Sequence, residues 1–299
     1  MAFLAFVTFA NAALAQDAAF TCQGRLTDCG SPANFVTCAR MNDFDLRFGG
    51  IGRLYSSDAL ARLRGAHVCV VGIGGVGSWT VEALARSAVG ALTLVDLDEV
   101  CVSNVNRQLH ALDSAVGRPK VEVMAERIRQ INPECRVQAI AEFFTGLNAE
   151  EILKTRFDYV VDAIDNVSNK CLLIAECRRR EIPIVTVGGA GGRKDPARMR
   201  VADLALTTHD GLLQQVRKKL RDDYGFPREP KAIFNVPCVF SPEPRVFPRA
   251  DGTVCNQREA GSDLRLNCDQ GYGTASFVTG AFGFAAAAQV VATLAKGRG

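Results

Sequence analysis

Short apolar runs alternate with amphipathic segments from residue 65 onwards. The segment 121–132 has apolar residues at helical spacing, and the Asn-Pro pair at its end stops the helix. The apolar runs are typical of buried strands; they are HVCVVG (67–72), ALTLVD (91–96), CRVQAIA (135–141), FDYVVDAI (157–164) and IPIVTVG (182–188). Strands that alternate with helices predict an α/β, Rossmann-like, mostly parallel sheet with helices on both faces.

Beyond residue 190 the pattern predicts a C-terminal extension of this fold. Residues 198–204 alternate like a strand, 212–221 look like a basic helix, and 232–240 is a further strand candidate. The last apolar stretch, 277–295, is about as long as a membrane-spanning helix, which takes roughly 20 residues. Because it is rich in Ala and Gly, we interpret it as a buried helix, with membrane association weak or absent and at most peripheral.

The first 40 residues do not share this pattern. Residues 1–16 are an apolar run that ends like a signal-peptide cleavage site, but no Lys or Arg precedes the run, as such a signal requires. Residues 17–40 show neither helical nor strand periodicity. We therefore predict that 1–40 is a dispensable or disordered extension, that its signal-like run is not functional, and that 41–299 forms a single domain.

Composition and cysteine spacing narrow the function classes. The chain has 299 residues, of which 48% are hydrophobic and 22% charged, as is ordinary for a globular protein with one substantial core. The net charge of +3 does not by itself indicate a polyanionic partner. None of the 11 cysteines forms a CxxC pair, so we predict no zinc site of the paired-CxxC type.

A glycine-rich turn, GIGGVG, follows the first apolar run and contains Gly72, Gly74, Gly75 and Gly77. Such a turn between a strand and a helix lets the backbone approach a phosphate, and the helix N-terminus favours its negative charge. Asp96 ends the next strand and is suited to ribose hydroxyls. A dinucleotide-binding dehydrogenase would share these features, so they do not choose between nucleotides.

Charged and amide side chains after the next strands favour a triphosphate. They are Asp98, Asn104, Arg107, Lys120, Asp165 and Asn166. A nicotinamide cofactor does not need Arg and Lys beside paired carboxylates. A triphosphate does, because basic side chains neutralise its oxygens and carboxylates hold Mg²⁺. The set therefore predicts ATP and Mg²⁺, with a nucleotide-binding part at about 65–190 and a substrate-side part at about 190–299.

Over about 47–190 the chain resembles the superfamily of ubiquitin-activating enzymes, because it contains, in this order, the motifs GxGxxG, DxD, SNxxRQ, a Lys and DN. It also resembles the thiamine- and molybdopterin-pathway adenylating enzymes. The resemblance implies that Asp96 holds the ribose and that Asn104, Arg107 and Lys120 hold phosphates. It also implies that Asp165 is the Mg²⁺ carboxylate, with Asn166 beside the nucleotide. Arg107, Lys120 and Asp165 are then the catalytic candidates within one chain.

The segment RFGGIGRL (47–54) resembles the Arg-bearing N-terminal element of these enzymes. In the superfamily such an arginine reaches the ATP of the other subunit. Arg53 is the first candidate for this catalytic role and Arg47 the second. The resemblance thus implies a homodimer.

Motifs beyond residue 188 resemble one branch, the tRNA threonylcarbamoyladenosine dehydratases. They are the loop GGAGGRKDP (188–196), Asp203 with Thr207, and CVFSPE (238–243). The branch implies an adenylating, ligase-type enzyme that dehydrates and cyclises threonylcarbamoyladenosine beside the anticodon of tRNA, through an acyl-adenylate. Arg193 and Lys194 follow the glycine loop, and we predict that they contact the tRNA backbone or the substrate carboxylate.

Other functions remain open on the sequence alone. The main alternative is adenylation of the C-terminus of a ubiquitin-like sulfur-carrier protein, which the missing CxxC pairs and the missing catalytic-cysteine domain oppose. A Rossmann oxidoreductase and a non-catalytic adaptor are opposed by the complete set of nucleotide motifs. The sequence leaves open a monovalent cation site, a sulfur-transfer partner and a role for Cys238. Use of ATP indicates the cytoplasm.

Overall fold

Seven strands form one sheet at the centre of the protein. The computed structural model describes residues 43–229, 232–249, 251–256 and 272–297. The strands are β1 (His67–Val71), β2 (Ala91–Val95), β3 (Arg136–Ile140), β4 (Tyr159–Asp162), β5 (Ile184–Val187), β6 (Arg200–Asp203) and β7 (Pro237–Phe240). Neighbouring strands are parallel, except that β6 is antiparallel to β7. A separate hairpin contains β8 (Phe247–Pro248) and β9 (Val254–Cys255).

The strand order, β3-β2-β1-β4-β5-β7-β6, reverses direction at β1. The chain first moves outwards from β1 through β2 to β3, and then returns to the other side of β1 as β4. The connections that follow β1 and β4 therefore leave the sheet in different directions. In sheets of this class the crevice at such a reversal is where ligands bind.

Helices cover both faces of the sheet, as the sequence predicts. They are α1 (Asp43–Tyr55), α2 (Ser57–Gly65), α3 (Gly77–Arg86), α4 (Lys120–Ile131), α5 (Ala149–Leu153), α6 (Val167–Arg179), α7 (Gly211–Asp223) and α8 (Ser276–Lys296). Val68 and Val70 pack in one apolar core with residues of α3, α4 and α8. Cys69 and Val71 pack in a second core with residues of α5, α6 and α7. Alternate side chains of β1 thus enter opposite cores, because successive side chains of a strand point to opposite faces.

Helix α8 packs closely against α3. A Cβ on Gly283 would lie 2.7 Å from the Cβ of Trp79 and 2.7 Å from the carbonyl oxygen of Val76, so only glycine fits this crossing. Of the described residues, α8 is the one helix long and apolar enough to span a membrane, and half of its apolar window is buried inside the protein. Its packing is that of a core helix, as the interpretation of 277–295 expects.

The strand candidate at 232–240 is shorter in the structure. Only Pro237–Phe240 pairs in the sheet. The backbone amides of Phe234 and Val236 donate instead to the carboxylate of Asp203, at 2.9 and 3.0 Å. A side chain therefore replaces the expected sheet partner there. The predicted extension, residues 1–40, lies outside the described residues.

Candidate active site

A cavity of about 880 Å³ lies at the carboxyl ends of the parallel strands. Its lining contains most of the residues predicted from the nucleotide motifs. They are Gly72, Gly74, Gly75, Asp96, Asp98, Asn104, Arg107, Lys120, Asp165 and Asn166. We call the part lined by residues that follow β1, β2 and β4 the β1 end. The part lined by residues that follow β5 is the β5 end.

The glycine turn opens the β1 end. Gly72 has φ +89°, which a side chain rarely adopts, and a Cβ there would lie 2.7 Å from the carbonyl oxygen of Ala163. Gly77 does not line the cavity; a Cβ at this position would collide with the carbonyl oxygen of Gly72. Glycine at both positions lets the turn pack against the end of β4, while Gly74 and Gly75 face the cavity.

Asp96 ties the glycine turn to the end of β2. Its carboxylate accepts hydrogen bonds from the backbone amides of Ile73, at 2.6 Å, and Asp98, at 2.9 Å. The residue is 8% exposed, and burial raises the pKa of its carboxyl group above the usual value. The carboxylate therefore reaches the cavity wall in a fixed orientation.

Lys120 is the first residue of α4 and is almost fully buried. Its Nζ lies 2.7 Å from Oδ2 of the half-exposed Asp98. The chain thus provides its own counter-charge for this lysine. An anion that entered the cavity would compete with Asp98 for the ammonium group.

Arg107 is held by two helices on either side of it. Its carbonyl oxygen accepts from the indole of Trp79 at 3.1 Å and from the hydroxyl of Thr279 at 3.0 Å. Its Nη1 donates to the carbonyl oxygen of Ser103 at 2.6 Å. The nearby amide of Asn104 is buried and accepts from the backbone amide of Cys101 at 3.1 Å. Tertiary contacts therefore position this segment before any ligand binds.

At the end of β4, Asp165 is exposed and faces the cavity. The neighbouring Asn166 caps α6 by accepting from the backbone amide of Asn169 at 3.1 Å. Beneath them, fully buried Lys170 forms an ion pair of 2.9 Å with fully buried Asp162. This ion pair, which lies beneath the turn that contains Asp165 and Asn166, was not identified from the sequence. The signal was a lysine on the apolar side of a helix, eight residues after an acidic strand end.

The β5 end contains the glycine loop that follows β5. The backbone amide of Gly188 donates to Val239 at 2.8 Å, and that of Gly192 donates to Gly273 at 2.8 Å. Fully buried Asp210 accepts from the amide of Gly189 at 2.9 Å and also caps α7. Hydrogen bonds thus fix this glycine loop at both of its ends and at Gly189.

The expectation that Arg193 contacts tRNA does not fit its position. Only 2% of the residue is exposed. Its guanidinium donates to the carbonyl oxygens of Gly189, His209 and Glu243, and it lies 3.5 Å from the carboxylate of Asp210. We therefore treat Arg193 as a residue that positions the loop. Lys194 is exposed, but neither of the two residues lines the cavity.

Arg245 lines the β5 end and was missed by sequence reasoning. Its Nη2 donates to Oδ1 of Asp210 at 3.1 Å, and its Cζ lies 5.2 Å from the ring centre of Tyr272. The only signal in the sequence is that it follows the CVFSPE motif by two residues.

Arg53 and Arg47 lie on α1, away from this cavity. Arg53 is exposed and does not line the cavity of its own chain. Arg47 forms an ion pair of 2.6 Å with Asp43. Neither arginine therefore lines the nucleotide cavity of its own chain.

Cys238 is fully buried in β7. Burial raises the pKa of its thiol far above the usual value. The thiolate, which is the reactive form, is therefore suppressed, and the packing is that of a small apolar side chain.

Two clusters of basic residues lie on helix surfaces, and acidic neighbours pair with some of their members. Arg179 and Arg180 pair with Glu176 and Glu150 on the outer surface of α6 and α5. On α7, Lys219 pairs with Asp223 at 2.7 Å. These clusters are therefore solvated helix faces rather than an evident polyanion site.

Comparison with known proteins identifies the family. The model of the ThiF family matches residues 51–297. The chain belongs to the ThiF family. Within this family, tRNA threonylcarbamoyladenosine dehydratase of Haemophilus influenzae is 49% identical over 258 residues, which cover 86% of this chain and 97% of that protein. The Escherichia coli enzyme of the same name is 53% identical over 241 residues, covering 80% and 90%.

A solved structure of the ThiF family extends the match to the fold. The crystal structure of the E. coli dehydratase in complex with ATP has a TM-score of 0.76 and 47% identity, covering 85% of this chain and 96% of that one. A relative named for a sulfur carrier matches a smaller share of the chain. The sulfur carrier protein ThiS adenylyltransferase of E. coli is 31% identical over 134 residues, which cover 45% of this chain and 53% of that protein. The predicted superfamily and its dehydratase branch are confirmed.

Proposed function

We propose that this protein catalyses the ATP-dependent dehydration of threonylcarbamoyladenosine in tRNA, beside the anticodon, and that it binds ATP at the β1 end. The observation that carries the proposal is the extent of the match to the dehydratases. It covers 86% of this chain and 97% of the H. influenzae protein, so it includes the β5 end as well as the nucleotide motifs.

The chemistry begins at the free carboxylate of the threonyl group. One carboxylate oxygen attacks the α-phosphorus of ATP, the α–β phosphoanhydride bond breaks, and pyrophosphate leaves. The carbamoyl group of the same molecule then attacks the acyl carbon, loses its proton and expels AMP. One carboxylate oxygen leaves with AMP, so the substrate closes a ring and loses the elements of water.

The second step is intramolecular and requires no nucleophile from the protein. Orientation of the two reacting groups in one bound molecule can supply about 7–11 kcal/mol of the barrier. This agrees with the suppressed thiolate of Cys238. The task of the protein is then to hold the carboxylate, the α-phosphate and the leaving group in line.

The roles that we propose for individual residues are those that the family resemblance implies, and their places around the cavity support them. We assign Asp96 to the ribose hydroxyls, because its carboxylate is fixed at the end of β2. Asn104, Arg107 and Lys120 are assigned to the phosphates. Binding of ATP would draw Lys120 from Asp98, from which its Nζ now lies 2.7 Å away. Arg107 and Lys120 would then stabilise the charge that develops on the phosphates.

Asp165 is the residue that would hold Mg²⁺. Among the described residues no group of three or more His, Cys, Asp or Glu side chains is arranged to hold a metal ion. One exposed carboxylate on the cavity wall nevertheless fits Mg²⁺, which commonly binds through one or two carboxylates and the phosphates of a nucleotide. Bound in this way, the ion would neutralise charge on the phosphates.

We further propose that residues 41–299 act as one adenylating domain and that the enzyme is a homodimer. The cavity supports a single domain because its lining extends from Val71 to Thr279 and so joins the nucleotide-binding and substrate-side parts. The position of Arg53, exposed and outside the cavity of its own chain, supports a role across a dimer interface.

Mixed dimers test the role of Arg53. Neither Arg53→Ala nor Asp165→Asn should be active alone, whereas a mixture that forms heterodimers should regain part of the activity. One site of the heterodimer keeps both groups, so up to half of the sites can work. Activity that stays at background in confirmed heterodimers would exclude action of Arg53 across the interface.

Mass spectrometry tests the reaction itself. Nucleosides from threonylcarbamoyl-modified tRNA treated with the protein, ATP and Mg²⁺ should include one that is lighter by one water. Substrate labelled with ¹⁸O in the carboxylate should transfer one label to AMP. An unchanged nucleoside, together with adenylation of a Gly-Gly-ended sulfur carrier, would establish the alternative activity instead.

A further inference from the structure

Arg245 occupies a part of the cavity that the nucleotide roles leave free. The residues assigned to ATP follow β1, β2 and β4. Arg245 instead lines the β5 end, together with the loop 188–191 and Tyr272. It belongs to the connection between β7 and β8. Because the α-phosphate must meet the substrate carboxylate inside the cavity, the β5 end is where the substrate has room.

Three neighbours hold the guanidinium of Arg245 in place. Nη2 donates to Oδ1 of Asp210 at 3.1 Å, and Asp210 itself is fully buried. Cζ lies 5.2 Å from the ring centre of Tyr272. Gly189 supplies the space, since a Cβ at that position would collide with Nη2. The group is thus pre-organised, which lowers the entropy lost when a ligand binds.

The same guanidinium has donor capacity to spare. Its Nε is buried and has no acceptor among the described residues. The side chain is only 15% exposed, so water replaces such a partner poorly. Asp210 also pairs with Arg193, whose Nη2 lies 3.5 Å from Oδ2 of Asp210. Because the exposed part of this side chain lines the cavity, a ligand there could supply the acceptor and the negative charge that Asp210 divides between two arginines.

We propose that Arg245 binds the free carboxylate of the threonylcarbamoyl group and orients it towards the α-phosphate. This inference rests on the proposed function. A planar guanidinium matches a carboxylate better than a point charge does, because its N–H groups lie in one plane. One carboxylate oxygen accepts from Arg245, while the other stays free to attack phosphorus.

The test compares two forms of one tRNA, with and without the threonylcarbamoyl group, bound to the protein in the absence of ATP. Wild-type protein should bind the modified tRNA more tightly. Arg245→Gln should reduce this preference by roughly 10- to 100-fold, as expected for the loss of a hydrogen bond to a charged group. The affinities for unmodified tRNA and for ATP should stay the same.

Two further variants sharpen the result. Arg249→Gln removes the same charge four residues later, at an exposed position outside the cavity, and should leave the preference intact. Arg245→Lys keeps the charge and most of the packing but loses the planar donor set. It should raise KM for modified tRNA while KM for ATP is unchanged, and it serves if Arg245→Gln does not fold.

The possible outcomes separate this inference from the proposed function. If wild-type protein makes the dehydrated nucleoside but Arg245→Gln keeps its preference for modified tRNA, the role of Arg245 is wrong and the function stands. Equal weakening of both tRNAs would place Arg245 on the tRNA backbone and also overturn the inference. If wild-type protein makes no dehydrated nucleoside, the proposed function fails at that step, before any variant is compared.

Discussion

The two ends of the cavity are built in different ways. At the β1 end, Asp96 directly follows β2 and Asp165 lies in the turn after β4, while Lys120 pairs with the half-exposed Asp98. At the β5 end, fully buried Asp210 joins two arginines that lie 17 and 35 residues away in the chain. At the β1 end, Lys120 can therefore exchange Asp98 for an anionic ligand. The β5 end is a rigid frame, in which a lost charge also costs stability.

The largest effect on stability should come from Asp210→Ala. Removing this carboxylate deprives the buried Arg193 and the partly buried Arg245 of their partner and removes the cap of α7. Loss of one partner of a buried ion pair typically costs about 3–5 kcal/mol, measured here as the free energy of unfolding in denaturant. Asp195→Ala, an exposed cap in the same loop, is the control and should cost at most about 1 kcal/mol. Equal losses would contradict the rigid-frame description.

At the β1 end the largest effect should be on activity. Arg107→Ala and Asp165→Asn should each reduce turnover by an amount equivalent to about 3–4 kcal/mol, because each removes a group that stabilises the transition state. The free energy of unfolding should stay close to that of the wild type. Arg129→Ala, exposed on α4 and outside the cavity, should keep full activity. Turnover near normal in Arg107→Ala or Asp165→Asn would remove the assigned roles.

His110 should make the region near Lys120 sensitive to acid. Burial lowers the pKa of its imidazole from 6.5 to about 4, and neither ring nitrogen has a hydrogen-bond partner among the described residues. The folded pKa lies below the unfolded one, so the unfolded state binds the proton first. Stability is therefore present above pH 6.5 and is lost as the pH falls towards 4.

The measurement is the free energy of unfolding at pH 7 and pH 5. From the two pKa values, His110 should account for a loss of roughly 2 kcal/mol between them. His110→Phe should show a pH dependence that is smaller by this amount. An identical pH dependence in both proteins would mean that His110 keeps its usual pKa.

Substitutions at Lys194 and Arg193 should have different effects, the first on tRNA binding and the second on the stability of the β5 end. Lys194→Gln should weaken tRNA binding a few-fold and reduce its salt slope by about one, with ATP affinity unchanged. Arg193→Gln should instead lower the free energy of unfolding, because its guanidinium is buried and bonded. A salt slope unaltered by Lys194→Gln would exclude a phosphate contact at this residue.

The smallest effect should come from deleting residues 1–40. The sequence pattern of the fold begins after Met41, so the truncated protein should keep its solubility, unfolding temperature and activity. The comparison is made on purified full-length and truncated chains side by side. Loss of folding or of turnover would show that the extension contributes to the enzyme.

The fold class and most of the β1 end can be predicted from the amino-acid sequence. Apolar runs that alternate with helical segments predict a parallel sheet, and polar residues placed directly after those runs meet at one edge of it. Gly72, Asp96 and Asp165 line the cavity for this reason. Their positions follow from local order along the chain, which a sequence shows directly.

The arrangement of the β5 end cannot be predicted from the amino-acid sequence. No pattern separates Arg193 from Lys194, yet the first is buried and the second exposed. Asp210 contacts both Arg245, which lies 35 residues later in the chain, and Gly189, which lies 21 residues earlier. A contact between distant segments depends on how β5, β7 and α7 pack together. Packing of this kind arises from the whole core and leaves no periodic signal in the neighbouring residues.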